Sequence, residues 1–589
     1  MQKQSEERKC MEDKSNPGAK KSWLIICGRM VWLVTLAICI LIGAFAVFAT
    51  ATSRDTIIPQ VVLVFAIAGI FLLILIRLLF SRRFRRSTVF FILSLVTLVA
   101  LFYAEEDLRG KHAWNRCQRE WAAKAEKIDW QFVVPPSVPD DQNFAMAPVV
   151  ASSYLQILDG QGHQHPYDTN IVDRLAMDIN GGREDNKADL GDWGRGSRID
   201  LAAWQTFYRT LAAKTNFFPV PPQPQSPAAD VLLALSPFNG AIEDLRQAAQ
   251  LPESRFPLEY DKDDPSAILL PHLGAIKRSG IVLSLRVTAE LQNNQSAAAA
   301  ADVKLTFRLI DSIRSEPFLI SHLVRISLLQ IALQPVWEGL ADHCWSDGQL
   351  AALGADLAKF NFSRDYQISM KGEIVLGEHN MDYLRQIRHE IVPLFYNWSD
   401  DGKQDEFNVP AGLVTWIPAG WFYQNKANYA NMMLKYFVPI ADIDQMTISP
   451  LAERRANNAL ASDTRHFIPY KLWEKLIIPA VGHVGNKFAR AQAFADMARV
   501  AIALERFRLV HGAYPATLDV LAPQFLAEIP HDVIDGEPLH YRLEANRQFT
   551  LYSVGWNGRD DGGTVVLVEG STPHVNYNEG DWVWRYPAQ

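Results

Sequence analysis

Three apolar runs dominate the first hundred residues. Met30 to Thr50 is 21 residues without a charge. Ile57 to Phe80 is broken only by Gln60 and by Arg77 near its end, and Thr88 to Ala104 is again uncharged. A bilayer core takes about 20 apolar residues, with about 17 near the lower limit, so the pattern predicts three transmembrane helices within 30–104. One such run can be a buried core helix, but three in so short a stretch argue for spans. Basic residues set the orientation. Lys3, Arg8, Lys9, Lys14, Lys20, Lys21 and Arg29 precede the first run, and Ser81-Arg82-Arg83-Phe84-Arg85-Arg86 joins the second to the third. The other joint carries only Arg54, beside Asp55. Positive residues stay cytoplasmic, so 1–29 is a basic cytoplasmic N-terminus and everything after Ala104 lies outside, as in an inner (cytoplasmic) membrane protein. Ala49-Thr50-Ala51 has the small-residue spacing of a signal-peptide cleavage site, although the apolar run before it is long for that role. Cleavage there leaves the other two spans oriented the same way.

Beyond the spans the periodicity changes. Residues 105–130 read as a polar helix leaving the membrane, with Trp114, Trp121 and Trp130 along it. Val133 to Pro139 holds three prolines and must be extended. Asp159 to Asp200, rich in Gly, Asp, Asn and His, reads as a long surface loop. Leu201 to Ala213 is helical, and the proline-rich Phe218 to Pro227 is a stiff connector. Thus 105–227 is a stalk helix, an extended segment and a loop-rich region. From 228 to 485 helical signals follow one another. Asp230 to Gln250 and Ala267 to Gln292 come first. A helix capped by Ser296 then places Val303, Phe307, Ile310 and Ile313 on one face. Phe318 to Leu333 is apolar on most sides, relieved by Ser321, His322, Arg325 and Gln330. Ser346-Asp347-Gly348-Gln349 is a capping box opening a helix to Phe360, and another helix spans Asp365 to Glu390. Helices of this length pair into a solenoid-like α-helical array, the kind of surface that mostly binds proteins, or into a simple structural bundle. A tetratricopeptide-like rhythm runs from Leu273 to Phe360 without that repeat's signature residues.

Charge and cysteine content narrow the function. Residues 1–104 hold 13 Lys+Arg and 5 Asp+Glu, whereas 105–589 hold 45 and 60. An acidic outer portion argues against a nucleic-acid partner, and the basic flanks need only anionic lipid headgroups. Of five cysteines only Cys117 and Cys344 fall outside, so this is no disulfide scaffold, and no cysteine cluster suggests zinc or iron–sulfur. His163, His165 and Asp168 lack the second pair that a metal site needs, and read as solvated loop. Glu373, Glu378, His379, His389 and Glu390 share one helix without ligand spacing and read as a solvated charged face. His322 and Arg325, three apart on an apolar helix, call for a carboxylate beside Arg325 and read as a structural ion pair. No Gly-x-Ser-x-Gly elbow, phosphate-binding loop or kinase set is present, so no catalytic residue is assigned. The alternative is an envelope hydrolase assembled from distant residues, using His322 or the His163 loop.

The last hundred residues carry the clearest pattern. Phe488, Ala491, Phe494, Met497, Ala501, Leu504 and Phe507 recur at helical steps, with Arg499, Arg506 and Arg508 off that stripe and facing water. Gly512 ends the helix in a left-handed cap. Leu539 to Leu543 and Gln548 to Val554 are facing strands, and Gly555-Trp556-Asn557-Gly558-Arg559-Asp560-Asp561-Gly562-Gly563 follows. The run Ala503 to Pro515, then Ile529-Pro530-His531-Asp532, Phe549 to Gly555 and the Asp-Gly loop, in that order, resembles the C-terminal domain of type II secretion major pseudopilins. The resemblance covers about 75 residues. It implies a long helix on a small antiparallel sheet, hence a small α+β module over 486–589. It also implies a structural calcium held by Asn557, Asp560 and Asp561. Asn-Gly and Asp-Gly are equally ordinary turn chemistry, and the two readings stand side by side. The full layout, with Val138 to Ala145 and Asp200 to Trp204, resembles a family of uncharacterised bacterial membrane-anchored proteins carrying this module. A pseudopilin helix begins as a membrane span behind a cleaved leader; here Phe488 is far from any span, so pilus assembly by that route is not expected. The expectation is a mainly α protein: three spans, a helical array and an α+β module, non-enzymatic, contacting the bilayer and binding envelope proteins.

Overall fold

The computed structural model describes residues 85–388, 417–545 and 548–585, apart from short stretches at 125, 127–128, 155, 159–163, 167–173, 182–187, 215–216, 261, 466–467 and 569–573. These are mainly helical, with four small antiparallel sheets. The chain divides into two compact units, 1–105 and 106–589, and helix α1 (Arg85–Ala122) begins in one and ends in the other. The first two apolar runs lie outside the described residues. The third falls in α1, where Phe90, Leu93, Val96, Leu98, Val99, Leu101 and Phe102 are exposed. Among the described residues the helices long and apolar enough to cross a membrane are Pro265–Gln292 and Leu319–Ala341, with α1 not among them, and both are mostly buried inside the second unit, as core helices are.

The second unit is built in chain order from α2 (Leu201–Ala212), α3 (Pro227–Ala234), α4 (Asn239–Ala248), α5 (Pro271–Gln292), α6 (Ser296–Ser312), α7 (Leu319–Ala341), α8 (Asp347–Leu357) and α9 (Phe362–Ile387). Then follow α10 (Ala419–Met432), α11 (Pro450–Asp463), α12 (Leu472–Val481) and α13 (Gly485–His511). Local chemistry starts and stops them. Asp200 caps α2 by accepting from the N–H groups of Ala202 and Ala203. Both halves of the Ser346/Gln349 capping box form at α8, and Gly512 closes α13 at φ 77°. Ser296 is the first residue of α6 rather than its cap, and α9 starts earlier than the periodicity suggests because Asn361 caps it through Arg364 N–H.

Packing runs from each helix to the next and the next but one: α5 lies on α6 and α7, α6 on α7 and α8, and α7 on α9. Helix α13 then sits against α7, α8 and α9 and, on another side, against strands β4 (Thr447–Ile448), β6 (Phe549–Ser553) and β9 (Trp582–Trp584). Its side chains from Phe488 to Glu505 are buried almost without interruption, so the helical segment and the C-terminal sheet share one core. This changes the reading of its arginines. Arg499 pairs with Asp496 at 2.8 Å, Arg506 with Asp347 at 2.7 Å and Arg508 with Glu505 at 2.6 Å, all half-buried rather than facing water. The apolar stripe spans one face, whereas α13 is enclosed on most of its circumference.

The main sheet has the order β5-β6-β9, with β5 at His540–Leu543. His540 faces Tyr552 and Arg542 faces Thr550 across β5/β6; Tyr552 faces Val583 and Leu551 faces Trp584 across β6/β9. Alternation therefore turns Leu551, Trp582 and Trp584 toward α13, and Arg542, Thr550 and Val583 to the opposite face. A separate hairpin pairs β7 (Val565–Val568) with β8 (His574–Gly580).

Candidate functional sites

Helix α7 carries the most concentrated polar chemistry. His322 and Ser321 are 0% exposed, Arg325 and Glu316 2%, and His272 1%. Arg325 does meet a carboxylate: its guanidinium pairs with Asp365 on α9, while its Nε donates to the Ile310 carbonyl at 2.9 Å. The Glu316 carboxylate accepts from Ser321 Oγ and from His272 Nε2, the latter at 2.7 Å. His322 Nε2 donates to the Glu316 backbone carbonyl at 2.9 Å, which leaves its Nδ1 bare, 3.9 Å from Asp365. Burial, with Arg325 beside it, pushes the His322 imidazole down to about 3, so the ring is neutral. Burial also pushes the Asp365 carboxyl up to about 6, against the pull of Arg325. A hydrolytic triad needs its hydroxyl bonded to its imidazole. Here Ser321 donates to Glu316 instead, and every member is sealed from solvent. The cluster ties α5, the α6–α7 turn, α7 and α9 together.

The carboxylates expected on a solvated face of α9 are placed differently. Glu378 is 3% exposed, and burial holds its carboxyl well above the usual range, with Lys426 pulling the other way. Lys426 pairs with Asp382 at 2.5 Å and lies over the Trp114 ring at 4.5 Å. Glu373 accepts from Leu319 N–H at 3.1 Å, and burial pushes it up to about 6. His379 is half-buried and packs on Trp130. That face is covered because α10 and the short Trp130–Val133 helix pack on α9, which period alone does not reveal. His389 and Glu390 lie outside the described residues, as do His163 and Asp168; His165 falls on strand β2 (Gln164–Pro166), paired with β1 (Gln156–Leu158). Cys117 and Cys344 are free thiols.

In the acidic loop the three residues singled out have internal partners. Asn557 Nδ2 donates to Asp561 at 2.8 Å, and Asn557 Oδ1 accepts from Arg559 N–H at 3.0 Å. Asp560 accepts from Gly562 N–H at 2.9 Å and from the Tyr552 hydroxyl at 3.0 Å. Asn557 and Asp561 are thus brought together, while Asp560 turns toward Tyr552 and His540. Sequence reasoning missed Asp581, which is 1% exposed and accepts from the amides of Asp561, Gly563 and Thr564 at 2.7–3.3 Å. Among the described residues no group of three His, Cys, Asp or Glu side chains is gathered for a metal.

The Asp/Gly-rich stretch ending at Asp200 is not all surface loop. Trp193 is 4% exposed, 4.5 Å from the Phe494 ring and 5.1 Å from that of Trp584. Gln334 on α7 accepts from Trp193 N–H at 2.7 Å and donates to Ser197 O, and Glu338 accepts from Ile199 N–H at 2.9 Å. A tryptophan and an isoleucine amid polar residues were the available signal. Beside this segment an open groove of ≈ 330 Å³ runs along the β5-β6-β9 sheet, lined from both of its faces by Arg195, Arg542, Phe549, Thr550, Trp584 and Arg585. The chain matches no family model, no curated protein and no solved structure.

Proposed function

We propose that the chain is a membrane-anchored scaffold of the bacterial envelope that binds other proteins and performs no chemistry of its own. Three helices in 30–104 hold it in the inner membrane, with 1–29 in the cytoplasm and the rest outside. The bare apolar surface of α1 between Phe90 and Phe102 supports the anchor, because such a surface is stable in lipid and not in water. The solenoid-like array of 228–485 presents the pseudopilin-like module of 486–589. The observation that carries this reading is the seating of α13 across α7, α8 and α9. A groove between stacked helices is a standard receptor for an apolar helix, and here the chain fills it with its own. The array therefore fixes the module rigidly and leaves its outer sheet face for a partner.

Crosslinking in intact cells, followed by identification of captured proteins, tests the reading. Capture of a reproducible set of envelope proteins is expected. Recovery of none, together with turnover of a wall or glycan substrate by the purified protein, overturns it. The resemblance further assigns a structural calcium to Asn557, Asp560 and Asp561, which supply hard oxygens. A rise in the full-length protein's melting midpoint with calcium, reversed by chelator, is the expected result; an unchanged midpoint removes the metal.

A further inference from the structure

We propose that Arg109, Arg388, Trp421 and Tyr470 form a collar at one end of the second unit that seats on anionic phospholipid headgroups of the membrane's outer leaflet. The proposal rests on the membrane anchor of the scaffold reading and gives the second unit a lipid contact of its own. Helix register places the four residues together. Gly110 meets Gly420, Cys117 Sγ lies 3.8 Å from the Ala427 carbonyl, and the Trp121 indole donates to Asn431 at 2.7 Å. Helices α1 and α10 therefore run parallel, at a constant offset of 310 positions. Asp382 pairs with Lys426 at 2.5 Å and Arg385 lies over the Tyr423 ring at 5.2 Å, so α9 runs antiparallel to α10. Extending that register brings Arg388, which ends α9, level with Gly420.

Helix α1 supplies the depth. The third apolar run ends at Ala104, and α1 continues unbroken to Ala122. At about 1.5 Å per residue, Glu106 lies about 3 Å and Gly110 about 9 Å beyond that end. The headgroup layer on either side of the hydrocarbon core is about 5–8 Å thick. The start of α10 and the end of α9 thus meet the outer margin of that layer, within reach of long side chains. Helical side chains lean toward the N-terminus, which in α10 is the end nearer Ala104. Accordingly the Trp421 indole reaches down to donate to the Glu106 carboxylate at 3.2 Å. Tyr470 stands against it with ring centroids 5.7 Å apart, and its hydroxyl accepts from Arg109 at 3.0 Å. Asn428 holds the Tyr470 carbonyl at 2.9 Å, which fixes that residue to α10. Of the three acids on this turn of α1, two are turned inward. Glu106 is 4% exposed and also accepts from Gln424, and Asp107 accepts from Gly420 N–H at 2.7 Å. Tryptophan and tyrosine favour headgroup depth, and guanidinium groups bind phosphate oxygens in pairs.

The test uses the full-length protein in vesicles of phosphatidylethanolamine and phosphatidylglycerol. Photoreactive benzoylphenylalanine is placed in turn at Trp421, Tyr470, Phe102 and Val520, and lipid adducts are identified by mass spectrometry. Phe102 belongs to the apolar run, and Val520 is an exposed position of the C-terminal module. Adducts at Phe102, Trp421 and Tyr470, and none at Val520, are expected. Phosphatidylglycerol should exceed its bulk share among the Trp421 adducts by about fivefold, an excess lost in Arg388→Gln and kept in Arg388→Lys. Adducts at Phe102 with none at Trp421 or Tyr470 overturn the collar and leave the anchor standing. Adducts of bulk composition, or an excess unchanged by Arg388→Gln, also overturn it. No adduct at Phe102 removes the anchor itself, and the collar with it.

Discussion

Replacing Trp193 by alanine tests whether the helical segment and the C-terminal sheet melt as one body. The indole is 4% exposed and packed between Phe494 and Trp584. A tryptophan side chain buries roughly 200 Å², which at about 25 cal/mol/Å² is about 5 kcal/mol of transfer free energy. Core truncations of this size cost about 3–5 kcal/mol, so about 4 kcal/mol is expected. The hydrogen bond from Trp193 N–H to Gln334 belongs to the backbone and survives. The consequence depends on what unfolds. Unfolding entropy is about 2.1 cal/mol/K per residue, so a unit of about 480 residues has about 1 kcal/mol/K and loses about 4 °C. A separately melting module of about 100 residues has about 0.2 kcal/mol/K and drops by about 20 °C. Near-UV circular dichroism and calorimetry of the full-length protein in detergent distinguish the two. One transition shifted by a few degrees, with amide exchange rising in both α13 and α7, is expected. An early, separate transition of the C-terminal strands refutes the shared core.

Arg325→Ala strands Asp365 in the interior and should cost about 3–5 kcal/mol, whereas Arg325→Met with Asp365→Leu should recover most of it; denaturant titration compares them. Burial and the neighbouring Asp463 push the Glu474 carboxyl up to about 8. The folded state therefore holds a proton that the unfolded chain releases near pH 4.5. That stability is complete below about pH 4.5 and lost as pH rises through about 8, so the melting midpoint should fall across this window, less steeply in Glu474→Gln. Gly110 on α1 faces Gly420 on α10 so closely that an added Cβ would lie 2.2 Å from the Gly420 carbonyl. Gly110→Ala should cost about 1–3 kcal/mol, while Gly348→Ala, with nothing within 4 Å, should be neutral or stabilising.

What could be read from the residues alone was what neighbours in sequence decide. The α8 capping box, the Gly512 cap and the β5/β6 pairing depend on a few consecutive residues each, and all three formed. The carboxylate beside Arg325 was legible for another reason: a guanidinium on an apolar helix has no other stable environment, although its identity as Asp365 was not predictable. What stayed hidden depends on distant encounters. Trp193 meets Gln334 across 141 positions, and Asp581 reaches back 20 positions to Asp561. Glu378 reads as a surface carboxylate until α10 covers it with Lys426. The enclosure of α13 was illegible in the same way, since its alanines fit a one-sided stripe and a fully surrounded helix equally well.

The claim beneath the rest is that the second unit stands outside the inner membrane. Val568, an exposed position on β7, can be replaced by cysteine in a background where Cys10, Cys27, Cys39 and Cys344 are serine, and probed with a membrane-impermeant maleimide on cells stripped of any outer barrier. Full labelling before lysis is the result this account predicts. Labelling that appears only after the cells are broken would contradict it.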